Sequence, residues 1–276
     1  MKIFNKIAIV GVGLMGGSLG LAIKDKGLSA EVLGISRKRK TLRLAKEKKA
    51  IDRGFRELSV LKDVDLVILA TPVETIIDLA KKISKIISKD CLVTDVGSTK
   101  EKVVSYLDKL FPNYIGSHPL AGSEKRGIRF ADKDIFKGSL CILTPTKNTS
   151  FKALTKIKRF WQMLGVKVVL LSPQFHDKVL SFISHLPHIL AFSLINTTPK
   201  RFLDFAASGF KDTTRIASSD REIWQDIFLS NRRCILKAID LFQQNLSKIK
   251  SAIKTRDKEF LNKFINQAKR KREQLK

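Results

Sequence analysis

His118 stands in the stretch Ser117-His118-Pro119-Leu120-Ala121-Gly122-Ser123-Glu124-Lys125. A neutral imidazole takes up a proton near physiological pH, so a histidine at the mouth of a crevice is a candidate general base. A satisfied structural ring is the plainer reading. Against it stand the small residues that follow, which permit close approach of a ligand, and Ser98, which is placed to orient the ring. A second cluster, Ser184-His185-Leu186-Pro187-His188, sets two imidazoles three residues apart on one helix face. Such a pair can ligate a metal, yet no third ligand is evident. A structural or substrate hydrogen-bonding role is the reading adopted, and no metal is assigned. The third cluster, Ser208-Gly209-Phe210-Lys211-Asp212-Thr213-Thr214-Arg215, precedes Trp224. It is either a glycine-interrupted helix start or a guanidinium offered to a carboxylate in bidentate geometry.

These groups need a scaffold, and the N-terminal residues indicate which. Gly11, Gly13 and Gly16 form a G-x-G-x-x-G turn, with Leu14 and Met15 inside it, between an apolar strand (residues 7–10) and a helix running through Leu19, Leu21 and Ile23. In that context the glycines allow a tight turn, close approach to a pyrophosphate and helix-on-strand packing, with the helix N-terminus facing the phosphates. A second strand, residues 31–35, leads into Ser36 and Arg37. A carboxylate is normally placed there to hold an NAD ribose; its absence, with a hydroxyl and a guanidinium in its place, points to NADP, with NAD as the alternative. Further buried-type strands are read at 65–71, ending in Thr71-Pro72, and at 91–96, 114–117, 139–143 and 166–171, with a helix over 151–164. Alternating strands and helices predict a Rossmann-type doubly wound parallel sheet. Thr71, Ser98 and His118 all fall at carboxyl ends of strands, where such sheets bind ligands, so they are expected to converge on the cofactor. From Pro173 the pattern is helical. Residues 1–172 read as the dinucleotide-binding domain and 173–276 as an all-helical substrate-binding and dimerisation domain, whose apolar stripes predict a homodimer.

Composition narrows the class. With 276 residues and 43% hydrophobic content the chain has ample core. Its net charge of +27 suits a nucleic-acid binder, but the lysines are spread through nearly every segment. A solvated surface that modestly steers anions is the better reading, with no nucleic-acid or membrane partner. Strongly salt-dependent nucleic-acid binding without turnover is the outcome that would favour the other class. The three cysteines are isolated in sequence, which predicts a reducing, cytoplasmic setting without disulfide or zinc. The first strand starts too early for a signal peptide, and no apolar run is expected to approach a membrane span.

Five motifs together carry a family resemblance: GVGLMGGSLG at 11–20, DVGSTK at 95–100, SHPLAGSEKRG at 117–127, SHLPH at 184–188 and GFKDTTRIASSD at 209–220. The chain resembles the prephenate/arogenate dehydrogenases of the TyrA family over nearly its whole length. That resemblance implies a nicotinamide-dependent oxidative decarboxylation in tyrosine biosynthesis, yielding 4-hydroxyphenylpyruvate from prephenate or tyrosine from arogenate. By position, His118 resembles the catalytic histidine that hydrogen-bonds the ring hydroxyl and Ser98 the serine that supports it. Ser123, His185, Arg215 and Trp224 resemble substrate-binding residues, with Arg215 on a carboxylate and Glu124 close by as a gate. Glu124, His185 and Trp224 favour prephenate, whereas the Ser36-Arg37 pair resembles NADP-using members, several of which take arogenate. A β-hydroxyacid dehydrogenase on the same architecture is the weaker rival, since it has no need of the SHP and SHLPH clusters.

Overall fold

The computed structural model describes residues 2–123 and 125–275. Eight strands form one sheet in the order β3-β2-β1-β4-β5-β6-β7-β8. They are β1 (Phe4–Val10), β2 (Ser29–Ile35), β3 (Arg53–Phe55), β4 (Leu66–Leu69), β5 (Leu92–Asp95), β6 (Tyr114–Pro119), β7 (Leu140–Thr144) and β8 (Lys167–Leu170). Successive side chains of a strand point to opposite faces. Ile7 and Ile9 of β1 join Leu66 and Ile68 of β4 in one buried cluster, while Ala8 and Val10 join Val67 and Leu69 in another. Both faces are thus covered, which explains why these strands are uninterrupted apolar runs.

Helices α1 (Leu14–Asp25), α2 (Arg39–Glu47), α3 (Val73–Ile83), α4 (Glu101–Leu107) and α5 (Phe151–Met163) flank the sheet. Strand β1 has β2 on one side and β4 on the other, so the chain order reverses there and opens a crevice at the strands' carboxyl ends. The sheet departs from the all-parallel expectation at one place: β6 and β7 run antiparallel, with His118 opposite Ile142. A strand buried on both faces shows the same apolar run in either direction, so its sense is not written in its pattern. The three-residue β3, RGF, also escapes the sequence reading because it carries no apolar run. Strand β6 extends through Pro119, which puts His118 inside the strand and not beyond it.

The remaining helices are α6 (Pro173–Leu180), α7 (Leu186–Thr197), α8 (Ser208–Thr214), α9 (Arg221–Ser230), α10 (Arg232–Thr255) and α11 (Lys258–Glu273). A π-helical turn, Ser181–His185, joins α6 to α7, making one continuous helix from Pro173 to Thr197. This helix corrects the expectation about membrane-length segments: it has 25 residues, and an 18-residue window within it reaches a mean hydropathy of 1.5, enough by length and composition to cross a bilayer. Only 22% of that window is buried within the monomer. Phe182, Ile183 and Leu194 on it, and Leu236, Leu241 and Leu246 on α10, remain exposed. Exposed apolar side chains in this number on neighbouring helices mark a surface that another body covers.

Candidate active site

On the cofactor side, Gly11 adopts φ +100° and donates its N–H to the carbonyl of Ile35 at 2.9 Å. A Cβ on Gly16 would lie 2.0 Å from the Gly11 carbonyl oxygen, so only glycine lets α1 sit this close to the turn. A Cβ on Gly13, by contrast, meets nothing within 4 Å. The N-terminus of α1 has no side-chain cap and no acidic residue in its first turn, leaving N–H donors around Leu14 and Met15 for an anion. Across the switch point, Thr71 holds a buried hydroxyl oxygen with no partner, followed by the exposed Pro72. These features fit a dinucleotide. Ser36, at the end of β2, accepts from the Lys38 N–H at 3.3 Å, and Arg37 is exposed beside it.

His118 is 9% exposed and lies over a layer of satisfied polar groups. Trp161 donates to Ser117 Oγ at 3.1 Å, which pairs with Thr94 Oγ1 at 2.7 Å. The His118 Nδ1 is 2.8 Å from His176 Nε2, and His176 Nδ1 is 2.7 Å from Asp177 Oδ1. Asp177 in turn accepts the N–H groups of Lys100 at 2.7 Å and Glu101 at 2.9 Å, where α4 begins. Lys100 is itself fully buried and ion-paired with Asp95, which also accepts from Tyr114 Oη at 2.7 Å and the Gly97 N–H at 2.8 Å. Burial, with the His176, Lys100 and His185 rings and charges nearby, holds the His118 imidazole well below its ordinary pKa. His118 is therefore neutral and able to accept a proton. Ser98, just past β5, is half-buried, and among the described residues no hydrogen bond joins it to His118.

The helical side closes the crevice. His185, at the end of the π turn, is 1% exposed, and its Nδ1 lies 3.1 Å from Asn231 Nδ2. Burial lowers its pKa to about 4, and its Nε2 has no hydrogen-bond partner. Leaving such a group unsatisfied costs about 1–3 kcal/mol, so the atom is placed for a ligand. His188 is anchored through Nδ1 to the Ser184 carbonyl at 2.9 Å and stacks on Trp224 with 3.5 Å between ring centroids. Trp224 also meets His185 edge-on at 6.1 Å. Burial and then the charge of the exposed Arg215, at the end of α8, lower the His188 pKa. Ser123 is exposed and accepts from the Lys125 N–H at 3.2 Å; Glu124 lies outside the described residues. Arg126 closes this loop onto α9 by bonding Asp220 and Glu222, each at 2.6 Å. Among the described residues no three metal-ligating side chains gather.

The structure thus makes His118, His185 and Trp224 neighbours, with Arg215 near His188 beside them. It adds His176, Asp177 and Asn231, which the sequence reading passes over. The one local signal was a His-Asp pair within the first turns of a helix opened by Ser172, whose hydroxyl accepts the Phe175 N–H. Both side chains are buried, and buried polar groups of this kind need hydrogen-bond partners.

Comparison with known proteins follows the same division. The family model described as "Prephenate dehydrogenase, nucleotide-binding domain" matches residues 19–170, and "Prephenate dehydrogenase, dimerization domain" matches 172–267. The prephenate dehydrogenase of Bacillus subtilis is 38% identical, over 98% of this chain and 76% of that protein. A crystal structure of prephenate dehydrogenase from A. aeolicus in complex with hydroxyphenyl propionate and NAD+ superposes with a TM-score of 0.93 at 37% identity, covering 99% of this chain and 98% of that one. The Synechocystis arogenate dehydrogenase superposes with a TM-score of 0.85 at 30% identity, over 97% of this chain and 99% of that one. With both halves matched in order and full-length relatives above 30% identity, this chain belongs to the prephenate dehydrogenase family.

Proposed function

We propose that the protein is a prephenate dehydrogenase that converts prephenate to 4-hydroxyphenylpyruvate and CO2. The observation that carries this reading is a neutral, buried His118 at the carboxyl end of β6, facing a cleft that the helical half completes with His185, Trp224 and Arg215. In this reading residues 1–172 bind the dinucleotide through Gly11, Gly13, Leu14, Met15, Gly16, Ser36, Arg37, Thr71 and Pro72. Residues 173–276 supply most substrate contacts and the dimer face, and Ser123 and Glu124 belong to the substrate loop. A bound nicotinamide supplies the hydride acceptor. His118 takes the hydroxyl proton as hydride leaves the same ring carbon, giving a ketone. The ring carboxylate then departs as CO2, its bonding electrons aromatise the ring, and the proton held by His118 returns to the phenolate oxygen. Arg215 holds a substrate carboxylate, and Ser98 borders the reacting hydroxyl. The cofactor is NADP in this reading, because Ser36 and Arg37 occupy the place of a ribose-binding carboxylate. The free cysteines suit a reducing cytoplasm.

The same Ser36-Arg37 pair and the Synechocystis relative favour a second reading, arogenate to tyrosine. A steady-state assay crossing prephenate and arogenate with NAD and NADP separates the two. Fastest turnover of prephenate with NADP is expected. No turnover with any pair removes the proposal and leaves a dinucleotide-binding fold.

A further inference from the structure

We propose that Asp177 and Asn231 fix the tautomers of the two cleft histidines in opposite senses, making His118 a hydrogen-bond acceptor at Nε2 and His185 a donor at Nε2. The inference rests on His118 being the base of the reading above, and it extends to residues that touch no substrate. Hydrogen-bond polarity carries it. The Asp177 carboxylate only accepts, and both its oxygens are fixed by the backbone N–H groups of Lys100 and Glu101. The His176 nitrogen 2.7 Å from Oδ1 must therefore be the protonated one. A neutral His176 then has a bare Nε2, and the group it meets is His118 Nδ1 at 2.8 Å. His118 consequently donates from Nδ1 and keeps its Nε2 lone pair for a substrate proton. Once His118 is charged, the same chain leads its positive charge toward Asp177.

The second half uses the backbone of the same residue. The Asp177 carbonyl accepts at 2.8 Å from the Asn231 amide, which identifies that amide atom as nitrogen, since a carbonyl cannot donate. The second hydrogen of that nitrogen goes to His185 Nδ1 at 3.1 Å. His185 therefore carries its proton on Nε2, the buried atom that has no partner. It offers a hydrogen bond to an acceptor oxygen of the ligand, a keto or carboxylate oxygen, and repels an ammonium group. His176 and Asn231 are positioning residues in this scheme, acting through His118 and His185.

The direct test is long-range 15N–1H NMR of the full-length enzyme labelled at histidine, whose chain has only four such rings to assign. The expected spectrum shows His118 protonated at Nδ1 alone and His185 at Nε2 alone; the opposite tautomer on either ring overturns the proposal. Kinetics gives a second readout. His176→Leu should lower kcat about 10²-fold or more with substrate KM and cofactor affinity unchanged, and His176→Gln, whose amide oxygen still accepts from Nδ1, should recover part of the loss. Asn231→Leu should raise substrate KM about tenfold and leave kcat within a few fold. A parallel fall of kcat, KM performance and cofactor affinity in both variants would mark mere structural roles and refute the scheme. Because the NMR experiment needs no turnover, an enzyme inactive on both prephenate and arogenate would sink the functional reading while still deciding the tautomers.

Discussion

Burial sets the chemistry of His118: desolvation disfavours the imidazolium, so the resting ring is a base with an open nitrogen. Replacing it by asparagine keeps the side chain's size class and removes the base. His118→Asn is expected to lower kcat by about 10²–10⁴-fold while cofactor affinity, read by fluorescence titration, stays the same. Lost cofactor affinity with normal turnover would show the ring to be structural. For Arg215→Ala the expected change is a raised substrate KM with unchanged cofactor affinity, and an unaltered KM would remove the guanidinium from the substrate site. His118, His185 and Arg215 could be picked out as candidates because each sits in a local pattern: small residues after a strand, a three-residue spacing, a motif beside a glycine; Trp224 was reached only through the family resemblance. His176, Asp177 and Asn231 were not. Their roles arise from contacts that span 58 residues (His118 to His176) and 46 residues (His185 to Asn231), which no window along the chain reports.

At the scale of elements, the glycine turn and α1 are tied by a clearance that a single methyl exceeds. Gly16→Ala places its Cβ against the Gly11 carbonyl at 2.0 Å, so the helix must shift away from the phosphate site. The expected result is at least a tenfold loss of dinucleotide affinity by titration calorimetry. Binding at wild-type strength would mean that the turn does not carry the phosphates. Apolar strands such as β4 were readable from sequence because burial on both faces leaves a continuous run. The antiparallel sense of β7 was not, because the connection from β6 runs through some twenty residues, including a short 3-10 turn at Ile128–Phe130. The π turn at Ser181–His185 was equally hidden. Helix periodicity in sequence shows an average pitch, and one wide turn shifts the phase of everything after it.

Across the whole molecule, the buried rings link charge to stability. His185 has a folded pKa of about 4 against about 6.5 unfolded. Between those values the unfolded chain holds a proton that the native ring refuses, so stability is full above about pH 6.5 and falls as pH drops toward 4. This ring alone accounts for about 3 kcal/mol over that window, and His118 and His176 act in the same direction. Denaturant titrations at several pH values should show the loss, and His185→Gln should flatten it; an unchanged slope would place the acid sensitivity elsewhere. The exposed apolar side chains of the Pro173–Thr197 helix and of α10, within the matched dimerization domain, lead us to expect a dimer in sedimentation velocity. A monomer at micromolar concentration would leave that surface without an explanation. The hydrogen-bonded chain behind the base also straddles the two halves, with His118 on the sheet and His176 and Asp177 on the first helix after it. The halves are consequently not interchangeable modules. A chimera that joins this sheet to a relative's helices inherits a working base only if that relative brings its own His-Asp pair, so recombination between homologues is confined to partners that already agree across the seam.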